Sequence, residues 1–266
     1  MQKIGIIAGG GRLPSIFARE ARRRGDKVIG FAIKEMTDTD FGKSCDRVHR
    51  FGIGEFKKGL IFFAMERIKK IVMLGKVDKS VIYSNIKKDK KASEFLDTTA
   101  EKSDYALLDR ITSELAKRGV EVIDPAEYLS ALFPPGGVLT ERPPAGGIKE
   151  DMEFGYKVAR ELARFDIGQT VVVKDKFVVS VEALEGTGPT IERASSLCGS
   201  GFTVVKVARP NQDMRWDIPV VGPDTLELIA RKKGNAIALE KRKIFLIDKE
   251  TCLGIAGRNN ISIVVL

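Results

Sequence analysis

Two rhythms of apolar residues alternate along the first half of the chain. Unbroken apolar runs at Ile4–Ala8, Val28–Ile33, Val48–Phe51, Ile71–Leu74 and Val120–Ile123 predict strands. Between them, apolar residues recur at every third and fourth position near Leu13–Arg24, Phe56–Lys69 and Tyr105–Arg118, which predicts amphipathic helices. Strands that are apolar on both faces need cover on both sides. The alternation therefore points to an α/β fold opening with a Rossmann-like parallel sheet, over residues 1–133. Lys87–Lys102 is too polar for either rhythm and reads as a mobile or partly helical surface segment.

The pattern then breaks. Phe133-Pro-Pro-Gly-Gly137 and Arg142-Pro-Pro-Ala-Gly-Gly147 read as a connector, residues 134–149, before a second domain at 150–266. That domain opens with a helix at Glu150–Phe165. A hairpin follows, with Thr170–Val173 and Phe177–Ala183 joined at Lys174-Asp175-Lys176. Further strands are predicted at Thr203–Val207, Ala236–Leu239, Ile244–Ile247 and Ser262–Val265, with helices at Thr190–Leu197, Thr225–Lys233 and Glu250–Ala256. Hairpin and crossovers together make this a mixed α/β domain.

Composition narrows the chemistry. No apolar run approaches the roughly 18 residues needed to cross a bilayer, and the N-terminus enters a strand directly, so the chain reads as cytoplasmic. Three scattered cysteines with no CxxC suggest neither disulfides nor a thiolate metal site. A single histidine, His49, rules out HExxH zinc chemistry and argues against a Ser-His-Asp triad. Any metal must then be an oxygen-liganded hard cation such as magnesium or manganese. The excess of 45 Lys and Arg over 36 Asp and Glu gives a formal charge of +9, which suits anionic partners. With 7% aromatics and no aromatic RNA-binding strand, nucleic acid is not expected.

Three segments carry candidate chemistry. Gly9-Gly10-Gly11, between the first strand and the first helix, is either a phosphate cradle or a tight structural turn. It is not the dinucleotide fingerprint, because Pro14 stands where a third small residue belongs, and it is not a P-loop. Gly75 and Lys76 end another parallel strand and open onto the same crevice. In the second half, Glu182 and Glu185 flank a Gly186-Thr187 turn at a helix start. The densest block runs from Lys206 to Asp224: Asp213 and Asp217 stand among Lys206, Arg209, Gln212 and Arg215. Prolines 210 and 219 keep it from forming one helix. Carboxylates beside fixed cations suit a divalent metal and a phosphate; a self-solvating surface loop is the alternative.

These residues carry a resemblance that runs the length of the chain. Ile6-Ile-Ala-Gly-Gly-Gly-Arg-Leu-Pro14, Gly75-Lys76-Val77, Gly168-Gln-Thr-Val-Val-Val173, Val181-Glu-Ala-Leu-Glu-Gly-Thr187, Gln212–Pro219 and Val221-Gly-Pro-Asp-Thr225 occur in that order. Together they resemble the LpxI family, the UDP-2,3-diacylglucosamine pyrophosphatases of lipid A biosynthesis. The resemblance implies magnesium-dependent hydrolysis to UMP and 2,3-diacylglucosamine 1-phosphate (lipid X), with water attacking the phosphorus nearer the sugar. It also implies two domains holding the lipid nucleotide between them. It makes Asp217 the essential acid, with Asp213 second; by residue type and position, Asp213, Asp217 and Glu182 are the candidate metal ligands, with Glu182 and Glu185 able either to complete a metal site or to orient a water. Gly9, Gly10, Gly11, Arg12, Leu13, Gly75, Lys76, Glu185, Gly186, Thr187, Lys206, Gln212 and Arg215 become substrate-binding candidates.

One position departs from the family: an aspartate is expected after Glu-Gly-Thr, where this chain has Gly188. An amphipathic substrate further implies contact with an anionic inner-membrane surface, and a homodimer is left open. Leu60–Met65 could line an acyl cleft or simply be core. A Rossmann-type oxidoreductase and a non-catalytic lipid- or nucleotide-binding module are the rival readings, and neither accounts for the acidic block.

Overall fold

The structure, a computed structural model, describes residues 1–76, 89–90, 93, 104–210, 212–215 and 217–266. Most of Lys87–Lys102 and the single tryptophan, Trp216, lie outside the described residues. The chain divides into two compact units. One comprises Met1–Leu129 with Met214–Asp217, the other Ser130–Asp213 with Ile218–Leu266.

In the first unit, β1 (Lys3–Ala8), β2 (Lys27–Ile33), β3 (Arg47–Phe51), β4 (Lys70–Leu74) and β5 (Glu121–Val122) form one sheet in the order β3-β2-β1-β4-β5. Every pair in it is parallel. Helices α1 (Leu13–Arg23), α2 (Phe56–Glu66) and α3 (Asp104–Ala116) lie between strands, and α4 (Ala126–Leu129) follows β5. Ile4, Ile6, Val28, Ile29, Ile71 and Val72 are fully buried, as strands covered on both faces require. Helix α1 buries Leu13, Phe17, Ala18 and Ala21 on one face and closes with Arg22 and Arg23, cations that suit a helix C-terminus. Helix α2 stops at Glu66, three residues short of the expected end, because Arg67 turns left-handed (φ 50°).

His49 is structural in this unit. Its ring stacks against Phe31 and Phe62 while Nε2 lies 2.8 Å from Glu66 Oε1. Glu66, only 5% exposed, also accepts from Arg47 and Lys3. Burial alone would push its carboxyl up, but the hydrogen bonds from His49, Arg47 and Lys3 outweigh it and hold the pKa at about 2.

The second unit contains β6 (Gly137–Val138), α5 (Gly146–Arg164), β7 (Thr170–Lys174), β8 (Phe177–Val181), α6 (Thr187–Cys198) and β9 (Thr203–Lys206). After these come β10 (Val220–Val221), α7 (Pro223–Arg231), β11 (Ala236–Leu239), β12 (Phe245–Leu246), α8 (Lys249–Arg258) and β13 (Ser262–Val265). Its main sheet has the order β6-β13-β11-β9-β7-β8. Strands β13, β11 and β9 run parallel, whereas β7 is antiparallel to both β9 and β8. The hairpin turns through Asp175 and Lys176, both at positive φ, as a two-residue loop matching strand twist requires. The buried Asp151 carboxylate of α5 accepts both turn amides, at 3.1 and 2.6 Å.

Residues 134–149 do more than connect. Gly137–Val138 adds an edge strand antiparallel to β13, and α5 starts at Gly146, where Lys149 N bonds back to Ala145 O. Prolines at 134–135 and 143–144 bracket this edge strand, a place that tolerates missing amide donors. Among the described residues, no helix is long and apolar enough to cross a membrane.

Candidate functional site

In the first unit the crossovers from β1 and β4 leave in opposite directions, which makes the gap beyond their C-terminal ends the usual ligand crevice. Gly9–Gly11 and Gly75–Lys76 both stand there. Their backbones bond to each other: Gly9 N donates to Leu74 O, Gly10 N to Lys76 O and Lys76 N to Gly10 O, each at 2.8 Å. A Cβ on Gly75 would fall 2.7 Å from Gly10 O, and one on Gly9 would fall 3.0 Å from the Gly75 carbonyl carbon. These positions are glycine because two chain segments touch. The amides of Gly9 and Gly10 are committed to Leu74 and Lys76 and cannot cradle an anion; of the expected phosphate loop, that part is a structural turn.

Gly11 (φ +88°) then swings the chain into α1. Arg12 is exposed, whereas Leu13 is buried in the core. Arg12, Ser15 and Arg19 face Asp38, Thr39 and Asp40 across an open cavity of about 440 Å³. A second cavity of this unit, of about 390 Å³, is lined by Thr112, Glu121, Asp124 and Glu127 together with Arg215. Arg215 thus stands among carboxylates.

In the second unit a buried polar cluster gathers at one end of the sheet. Lys206 is the last residue of β9 and is only 7% exposed. Among the described residues its ammonium meets hydroxyls and no carboxylate: Nζ donates to Thr187 Oγ1 at 2.7 Å and to Thr170 Oγ1 at 3.3 Å. Thr187 opens α6, and its hydroxyl donates in turn to Glu182 Oε1 at 3.1 Å. The other oxygen of that carboxylate, Oε2, is buried and accepts no hydrogen bond among the described residues. A cation bonded only to hydroxyls and a carboxylate with one orphaned oxygen thus share the Thr187 hydroxyl, through Nζ and Oε1. Burying such groups is costly unless something completes them.

The cluster is placed by its strands. Thr170, fully buried at the start of β7, is the register partner of Lys206 on β9. Glu182 follows β8 directly and its amide donates to Thr170 O at 2.8 Å. Gly186 precedes α6 at φ 82°, and no acid stands in the first turn of that helix. The carboxylate at the positive end of its dipole is that of Glu182, which lies outside the helix and bonds to Thr187. Glu185 turns elsewhere: it pairs with Arg193 at 2.6 Å. Its own backbone amide, followed by Arg193, holds its carboxyl below the usual range.

The loop from β9 to β10 carries Gln212, Asp213, Arg215 and Asp217. Gln212 is a structural clasp, its Oε1 accepting from the Arg209 amide at 2.8 Å and from Gln169 Nε2 at 3.0 Å. The division between units falls inside this loop, after Asp213, so that Asp217 is counted with the first unit. Among the described residues, no group of three or more His, Cys, Asp or Glu gathers to hold a metal. The oxygen donors are nonetheless of the hard type that magnesium takes, and Glu182 Oε2 is one with no other partner among the described residues.

Sequence reasoning missed Thr170 and Gln169. The available signal was a hydroxyl and an amide opening an otherwise all-valine run, Gly168-Gln-Thr-Val-Val-Val173.

Residues 3–132 match the family model described as the LpxI N-terminal domain, and residues 135–264 match the LpxI C-terminal domain. The chain is 30% identical over 269 residues to UDP-2,3-diacylglucosamine pyrophosphatase LpxI of Caulobacter vibrioides; the alignment covers 96% of this chain and 94% of that protein. Among solved structures, N5-carboxyaminoimidazole ribonucleotide synthetase from Thermotoga maritima matches at 18% identity and TM-score 0.25, covering 70% of this chain and 43% of that one. The ADP complex of N5-carboxyaminoimidazole synthetase from Staphylococcus aureus matches at 12% identity and TM-score 0.25, covering 79% and 68%. Likeness at that level carries no argument.

Proposed function

The chain belongs to the LpxI family, and from that premise we propose that it hydrolyses the pyrophosphate of UDP-2,3-diacylglucosamine to UMP and 2,3-diacylglucosamine 1-phosphate, a step of lipid A biosynthesis. The observation that carries the reading is the buried Lys206, whose ammonium bonds to two hydroxyls and, among the described residues, to no carboxylate directly. Such an ammonium is built to receive an anion. In this reading its third N–H meets a phosphate oxygen, beside the N-terminus of α6.

Water attacks the phosphorus nearer the sugar, the bridging P–O bond breaks, and UMP leaves with the bridging oxygen. Asp217 takes the proton of the attacking water and Asp213 supports it; a carboxylate in that role contributes about 10²–10⁴-fold. Magnesium, when bound, would neutralise charge on the pyrophosphate and the departing UMP; Glu182, Asp213 and Asp217 are its candidate oxygen donors, although they form no ready-made metal group among the described residues. The rival nucleotide-cofactor reading finds no support in the glycine loop, whose first two amides are committed to Leu74 and Lys76.

Replacing Asp217 with alanine is expected to abolish turnover while leaving binding of the lipid nucleotide within about a few-fold. Full activity of that variant would overturn the assignment.

A transient association with anionic membrane belongs to the same reading. Phe165, Ile167 and Leu184 are exposed on the two loops that meet at Gly168 and Glu182, and the net charge is +9. Sedimentation with anionic against neutral vesicles tests it, and equal absence from both pellets would refute it.

A further inference from the structure

The reading above leaves Thr170 without a role, yet it is fully buried and lies within hydrogen-bond reach of the two groups that matter most. Its Oγ1 accepts from Lys206 Nζ at 3.3 Å and stands 3.3 Å from Thr187 Oγ1. Its carbonyl accepts the Glu182 amide at 2.8 Å. Its neighbours Val171, Val172 and Val173 are equally buried, and nothing in the apolar packing of that strand calls for a hydroxyl.

We propose that Thr170 is a positioning residue that aims the Lys206 ammonium at the substrate's phosphate through the Thr170–Lys206–Thr187 hydrogen-bond triangle. This rests on the reading of Lys206 as a phosphate ligand.

The geometry gives the reason. An ammonium has three N–H donors around a freely rotating C–N bond. A single acceptor leaves the flexible side chain free to pivot about that one hydrogen bond. Two acceptors, on β7 and at the start of α6, fix the rotation and leave the third N–H in one direction. Thr187 cannot do this alone, because it is one acceptor and tethers the nitrogen at one point only. The antiparallel register that sets Thr170 opposite Lys206 makes the arrangement a property of the sheet. At 0% exposure Thr170 cannot itself touch a ligand, so it acts through Lys206.

The test is a double-mutant cycle on the intact protein, with UMP release from UDP-2,3-diacylglucosamine as readout and thermal melting to confirm that each variant folds. Thr170→Val keeps the shape and removes the hydroxyl; it is expected to lower kcat/KM roughly tenfold, the loss of one hydrogen bond to a charged group. Thr170→Ser keeps the hydroxyl and should stay within about twofold of the parent. Lys206→Met should lose about a hundredfold or more. Adding Thr170→Val to Lys206→Met should then cost nothing further.

Activity of Lys206→Met equal to the parent would defeat the phosphate-ligand reading itself. A crippled Lys206→Met beside a fully active Thr170→Val would overturn the positioning role alone. An equal penalty for Thr170→Val with and without Lys206 would also overturn it, since a purely structural hydroxyl behaves that way.

Discussion

Gly168 packs its Cα against the Glu182 carbonyl so closely that a Cβ there would lie inside the carbonyl oxygen and 2.6 Å from the carbonyl carbon. This contact joins the loop before β7 to the loop after β8, and so fixes Glu182 against the strand that carries Thr170. Alanine at 168 must displace backbone, which has no flexible end to give way. Gly168→Ala is therefore expected to destabilise the protein by about 2 kcal/mol or more. It should also lower activity beyond what the loss of stability explains, because Glu182 moves with the loop. Melting curves and initial rates measured below the melting range separate the two effects.

Gly188 behaves in the opposite way. A Cβ there would meet only Leu228, at an ordinary 3.8 Å, and the position lies in the first turn of α6, which contains no acid. Gly188→Asp replaces the poorest non-proline helix former and puts a negative charge at the helix N-terminus. It should stabilise the fold by about 0.5–1 kcal/mol, seen as a small rise in melting temperature that shrinks with added salt. A fall in melting temperature would mean that the first turn of α6 is not as described. The resemblance leads one to expect an aspartate at this position, so the same variant also shows whether it adds to turnover.

The Glu66 cluster predicts acid sensitivity. Its folded pKa of about 2 lies below the ordinary 4.5. The stabilisation it brings is thus fully present above about pH 4.5 and is lost as pH falls from there toward 2. Glu66→Gln should cost about 2–3 kcal/mol at neutral pH. It should also flatten the stability profile between pH 5 and pH 2, read from denaturant midpoints across that range. A parallel, undiminished acid transition in the variant would place the sensitivity elsewhere.

The sheet architecture was legible because burial on both faces writes itself as unbroken apolar runs. Ile4–Ala8, Val28–Ile33 and Ile71–Leu74 each became a strand within a residue of the expected bounds. The fate of 134–149 was less visible. A two-residue edge strand is too short to show any periodicity, and prolines around it look like those of a linker.

At the site, charged residues announced themselves and their partners did not. Lys206 stood out in the sequence, but its value depends on Thr170, 36 residues away and brought opposite by antiparallel pairing. The glycine loop carried the reverse lesson. Three glycines at a strand end suit an anion or a neighbouring backbone equally well, and only the bonds from Gly9 to Leu74 and from Gly10 to Lys76 distinguish the two.

The central claim is hydrolysis of a nucleotide-lipid pyrophosphate, and its most direct test is to incubate the purified protein with UDP-2,3-diacylglucosamine in detergent, with magnesium and with a chelator, and to identify both products. The prediction is UMP and 2,3-diacylglucosamine 1-phosphate in equal amounts, formed with magnesium and suppressed by the chelator. No product under either condition from protein that melts cooperatively would contradict it.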